Sequence, residues 1–144
     1  VYLLKTRDDS ETKNELNIEK VDFTLQSFGK FLRSVREARC ISLRDFEDRV
    51  HKTRAYLSDI ERGKNKPPDQ VLLDLMISQL NVSHYPKIVN QLYDLAAVER
   101  NAVPDDLKAW IMADATNRAL LRECRDKKLT STQVTGLLKI VEGM

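Results

Sequence analysis

From Leu25 onward, apolar residues recur at intervals of three and four, in runs short enough to be separate helices. The first run, 25–39, places Phe28, Phe31, Leu32 and Val35 on one face and Lys30, Arg33, Arg36 and Arg39 mostly elsewhere. Leu43, Phe46 and Val50 form a second short stripe. It opens with Ser42 and has Asp45 three residues on, the Ser-x-x-Asp form of a capping box. After a polar break, Thr53 is placed to cap a third helix that carries Leu57 and Ile60 and stops at Gly63. Two helices so short and so closely joined cannot lie antiparallel. They must cross steeply, as in a helix-turn-helix. Neither is stable alone, so the first helix is expected to cover them.

Further on, Pro68 suits the first position of a helix over 68–80, with Leu72, Leu75, Met76 and Leu80 inward and Asn81 at its end. A fifth helix is expected over 83–97, with Pro86 in its first turn and Ile88, Leu92, Leu95 and Ala96 as its stripe. Periodicity fades over 99–103, which reads as a connector. Pro104 and Asp105 can then open a helix bearing Leu107, Trp110 and Ile111, and Thr116 can cap another bearing Leu120, Leu121 and Cys124. Thr130 with Gln133 is a second capping box, opening a helix with Val134, Leu137, Leu138 and Val141 at i, i+3, i+4 and i+7. Three short amphipathic helices make a thin core by themselves. This extension, 104–144, is therefore expected to pack on the fifth helix, on a second subunit, or on both. Residues 1–22, rich in charged and polar side chains, read as a flexible arm.

The stretch from Ser42 to Gly63, with Tyr56-Leu57-Ser58-Asp59-Ile60-Glu61-Arg62-Gly63 and the later Pro67-Pro68, resembles the helix-turn-helix of the phage repressor and Cro (XRE) family of transcriptional regulators. Helix lengths, turn, Glu-Arg-Gly terminator and following proline agree in register over 28–82. The resemblance implies an all-α chain: a five-helix, lambda-repressor-like DNA-binding domain over 23–98 with a C-terminal helical extension. It also implies roles. Arg54, Ala55 and Asp59 would face base edges, Arg54 by donating to O6 and N7 of guanine, Ala55 by touching a thymine methyl, and Asp59 by accepting from cytosine N4 or else repelling phosphate. Ser42, Arg44, Lys52, Thr53 and Tyr56 would lie at the DNA backbone. Lys64 and Lys66 would join them, unless their loop is an ordinary polar turn. Arg36 and Glu61 match the family's partly buried ion pair, whose work is orientation more than stability. The alternative is two independent solvated charges.

Four residues depart from the family pattern. Leu43 stands where a glutamine usually bonds a phosphate, and Glu47 where a small alanine sits at the crossing of the two helices. His51 and Lys52 replace the turn's usual glycine and valine. An altered crossing or turn is the expected consequence, with Lys52 adding a cation beside the groove.

Charge sharpens this picture. The net charge of +2 conceals a segment, 25–68, with eleven Lys and Arg against six Asp and Glu, a local +5. Phosphate contact requires such a bias, though a solvated helical surface can also carry one. The 144 residues fit one domain or a small domain with an appendage. No run of 18 apolar residues occurs. The first residues are too polar for a secretory signal, so a soluble, cytoplasmic protein with no membrane partner is expected. Cys40 and Cys124, widely spaced, are expected to be reduced. His51 and His84 are isolated, and neither Cys-x-x-Cys spacing nor a Gly-rich phosphate loop is present. No catalysis, metal or cofactor is expected. The reading is a sequence-specific DNA-binding regulator, a repressor acting as a homodimer on a two-fold related operator. The rival is an antitoxin-type module of the same fold that binds a protein partner through its C-terminal helices.

Overall fold

The computed structural model describes residues 18–144, and the described residues form an all-α chain without a strand. The arm expected over 1–22 lies for the most part outside them. Residues 18–22 of that stretch are described, and Ile18 and Val21 among them are buried in the core. The chain divides into two units, one ending at Asp105 and the other covering Asp106–Met144.

The first unit holds α1 (Phe28–Ala38), α2 (Leu43–Val50), α3 (Arg54–Glu61), α4 (Gln70–Gln79) and α5 (Pro86–Arg100). Helix α1 packs on α3 and α5, while α2 packs on α3 and α4. Phe28, Phe31, Leu32 and Val35 of α1 meet Phe46, Leu57, Ile60, Leu73, Met76, Ile88 and Leu92 in one core. At the α1–α3 contact Gly29 lets backbone approach backbone. A Cβ there would lie 2.7 Å from the Glu61 carbonyl oxygen and closer still to that of Ile60.

Helix α1 begins later than its periodicity predicts, because the residues before it are held in a turn. The Thr24 amide and hydroxyl both donate to the Asp22 carboxylate, at 2.9 and 2.5 Å. Those bonds favour the ionised acid and hold its pKa below the ordinary value. Ser27 makes no side-chain cap bond to α1. Glu99 does that work from the last turn of α5, accepting from the Phe28 amide at 2.9 Å. A carboxylate is well suited to the exposed N–H groups of a helix start. Residues Glu99 and Arg100 are therefore helical, and the connector expected over 99–103 is shorter than the sequence suggests. Arg100 donates to the Pro67 carbonyl, and Asn101 ends α5 in the left-handed conformation at φ 52°.

Two further expectations are corrected. Pro68 precedes α4 instead of opening it, and Asp69 is the cap, accepting from the Leu72 amide at 2.9 Å. The inward face of α4 is Leu73, Met76 and Ile77, continued by Leu80, whereas Leu72 and Leu75 are half-buried. Apolar residues flank the Gln70-Asp74-Ser78 stripe of α4 on both sides, so periodicity alone did not separate Leu73 and Ile77 from Leu72 and Leu75.

The second unit holds α6 (Asp105–Ala113) from its second residue on, with α7 (Ala115–Asp126) and α8 (Ser131–Glu142). The cap of α7 is Asp114 and not Thr116: the Asp114 carboxylate accepts from the Thr116 amide at 2.8 Å. Asn117 donates to the Trp110 carbonyl and Arg118 to that of Met112, both at 2.8 Å, which ties α7 to the end of α6. Thr130 and Gln133 form the full capping box of α8. No residue of these three helices is buried. No helix among the described residues is long and apolar enough to cross a membrane.

Candidate nucleic-acid interface

The candidate interface is built on α2, the turn after it and α3. Ser42 caps α2, its hydroxyl oxygen accepting from the Asp45 amide at 3.1 Å. Thr53 caps α3 in the same way, accepting from the Tyr56 amide at 3.2 Å. Between the two helices His51 adopts φ 57° and ψ 40°, the left-handed conformation that glycine takes at least cost. The turn thus forms around a histidine. Its amide bonds back to the Glu47 carbonyl at 2.9 Å.

Helix α3 is divided along its length. Leu57, Ile60 and Glu61 are buried, whereas Thr53, Arg54 and Ala55 are exposed at its leading end. Tyr56 and Asp59 are half-buried between these groups. Lys52 sits over the Tyr56 ring, its Nζ 5.9 Å from the centroid. Past the other end, Gly63 turns the chain at φ 75°, and the amides of Lys64 and Asn65 donate to the Asp59 carbonyl at 2.8 and 3.2 Å. Lys64 and Lys66 are exposed in that loop, as are Ser42 and Arg44 at the start of α2. The structure therefore brings Arg54 and Ala55 together on one bare helix end. Lys52 precedes that end, and Lys64 and Lys66 follow the helix.

The far end of α3 is anchored by Arg36 and Glu61. Arg36 Nε donates to Glu61 Oε1 at 2.6 Å and Nη2 to Oε2 at 3.0 Å, while Nη1 donates to the Ile41 carbonyl at 2.7 Å. Both side chains are almost fully buried. A forked guanidinium–carboxylate pair admits few orientations, so it fixes how α3 leaves α1.

Not every cation of the 25–68 segment belongs to this surface. Arg39 donates to the carbonyls of Leu80 and Asn81, and Arg49 to that of Gln79. Both therefore satisfy the C-terminal end of α4. Arg33 is paired with Glu37 at 2.7 Å, which holds its guanidinium pKa above the ordinary value. The surplus of positive charge in the sequence is thus partly structural. A sequence reading could not make that division, because it depends on which carbonyls lie nearby.

One residue of the site was missed. Glu47, from α2, forms an ion pair with Arg54 across the turn, Oε2 to Nε at 3.0 Å. It stands where the resembling family keeps a small side chain, and it reaches across to α3. The only sequence signal was that departure. Among the described residues no group of His, Cys, Asp and Glu is arranged to hold a metal ion.

Searches of curated proteins and of solved structures each return no match. Residues 27–76, about a third of the chain, match a protein-family model described as a helix-turn-helix domain. That span runs from the residue before α1 into α4 and includes the whole surface described above.

Proposed function

We propose that this chain is a sequence-specific DNA-binding transcriptional regulator of the phage repressor and Cro (XRE) type, acting as a repressor. The observation that carries the reading is the exposed leading end of α3, Thr53 to Ala55, on a helix whose other end is locked by Arg36 and Glu61. An end so presented can enter a major groove, with Arg54 and Ala55 at base edges and Asp59 behind them. Ser42, Arg44, Lys52, Thr53, Tyr56, Lys64 and Lys66 are the candidates for the phosphates on either side. One such module makes few base contacts. Two copies on a two-fold related operator multiply both affinity and discrimination.

The apolar residues left uncovered on α6, α7 and α8, among them Trp110 and Leu137, suit an association through the C-terminal unit. We assign that association to a second copy. An antitoxin-type module binding a different protein is the second reading that the same residues favour. Sedimentation of the full chain and of a truncation before Pro104 separates the two: loss of self-association without loss of a partner supports the first, and a bound protein lost with the extension favours the second.

The DNA-binding reading is tested by selecting bound duplexes from a random pool and titrating variants against the winner. Arg54→Ala should remove preference at one base pair. Replacing Lys64 and Lys66 with Ala should weaken every duplex alike and lower the salt slope by about 2, close to one counterion per lost phosphate contact. Unchanged affinity and unchanged preference in both variants would refute it.

A further inference from the structure

The ion pair between Glu47 and Arg54 joins the two helices of the motif at the edge proposed to meet DNA. Its partners are unequal. The Glu47 side chain is 35 % exposed and the Arg54 side chain 64 %, so the carboxylate is the better anchored of the two. Glu47 lies on α2, which is packed against both α3 and α4. It engages Arg54 through Nε, leaving the terminal Nη1 and Nη2 as the fork that a guanine O6 and N7 would receive.

From this geometry we infer that Glu47 is a positioning residue that sets base discrimination by holding the Arg54 guanidinium in its reading orientation. The inference rests on the DNA-binding function proposed above. An exposed arginine samples many rotamers, and ordering it on binding weakens recognition. A carboxylate held 3.0 Å from Nε narrows that choice before DNA arrives. It also exerts an opposing effect, because a negative charge beside the duplex repels phosphates. Glu47 therefore lowers affinity for any sequence while raising the preference for one. A residue that only shaped the helix crossing would move both in the same direction and would act whether or not Arg54 were present.

The test uses the full chain and the duplex selected from the random pool, with all four base pairs placed in turn at the position where Arg54→Ala loses its preference. In Glu47→Ala, discrimination at that position should fall roughly three- to fivefold, the scale of one exposed ion pair. Affinity for unrelated duplexes should rise. In a chain already carrying Arg54→Ala, adding Glu47→Ala should leave discrimination where it was. Circular dichroism checks folding, and Glu47→Gln, which keeps the side-chain volume but loses the charge, repeats the measurement if the alanine variant unfolds. Equal discrimination with and without Glu47 overturns the inference and leaves DNA binding intact. So does a loss of discrimination that persists in the Arg54→Ala background. A full chain that selects no duplex from the pool overturns the function and the inference together.

Discussion

The two units of the chain are built with the same local devices and reach opposite ends of burial. In the first, Phe31, Leu32, Val35, Phe46, Leu57 and Leu73 are wholly removed from solvent. In the second, α8 carries a full capping box, yet Val134, Leu137, Leu138 and Val141 all remain exposed. Capping and periodicity therefore determine whether a helix forms and say little about what it packs against. Long-range closure makes the difference. In the first unit Arg36, Arg39, Gln91, Glu99 and Arg100 bond to groups on other elements. In the second, Asn117, Arg118 and Thr130 bond to neighbouring stretches of chain.

That contrast can be broken by substitution, and the largest effect is expected inside the core. Phe31→Ala should cost about 3–5 kcal/mol in urea unfolding of the first unit, the usual consequence of emptying a fully buried aromatic site. A loss below 1 kcal/mol would mean that the core is looser than its burial implies. Next comes Gly29→Ala, where an added methyl meets two carbonyl oxygens of α3. About 2–3 kcal/mol should be lost, by the same denaturation measurement, because backbone on backbone cannot relax as side chains do. Its effect on DNA should exceed its effect on helicity, since α3 is displaced and not melted. The smallest effect belongs to the second unit: in dilute solution Leu137→Ala should change stability by no more than about 0.5 kcal/mol, as for other exposed positions. Raising the protein concentration sharpens the comparison. If a second copy covers α8, the melting temperature of the unaltered chain should climb with concentration and that of Leu137→Ala should not.

The sequence made the helices legible because their signals are local. Ser42, Thr53 and Thr130 each stand one residue before a helix and each accepts the amide bond of a cap. Legibility failed where a choice depended on distant chain. Asp114 and Thr116 are both competent caps, two residues apart, and periodicity does not choose between them. The inward face of α4 is set by neighbours on α2 and elsewhere in the core, since apolar residues lie on both sides of its polar stripe. Arg39 and Arg49 look like groove cations until the carbonyls at the end of α4 are seen beside them. Glu47 was visible as a departure from the family pattern. Its partner became visible only once the turn at His51 was in place.

The cap supplied by Glu99 has a consequence for synthesis. Its carboxylate lies 71 residues downstream of the amide it satisfies. A nascent chain emerging from a ribosome presents α1, the turn and α3 long before the last turn of α5 exists. During that interval the surface proposed to meet DNA is already translated while the Glu99 cap on its scaffold is not. Completion of the first unit is therefore timed by its final helix, and any segment that delays residues 99 and 100 delays the whole fold behind them.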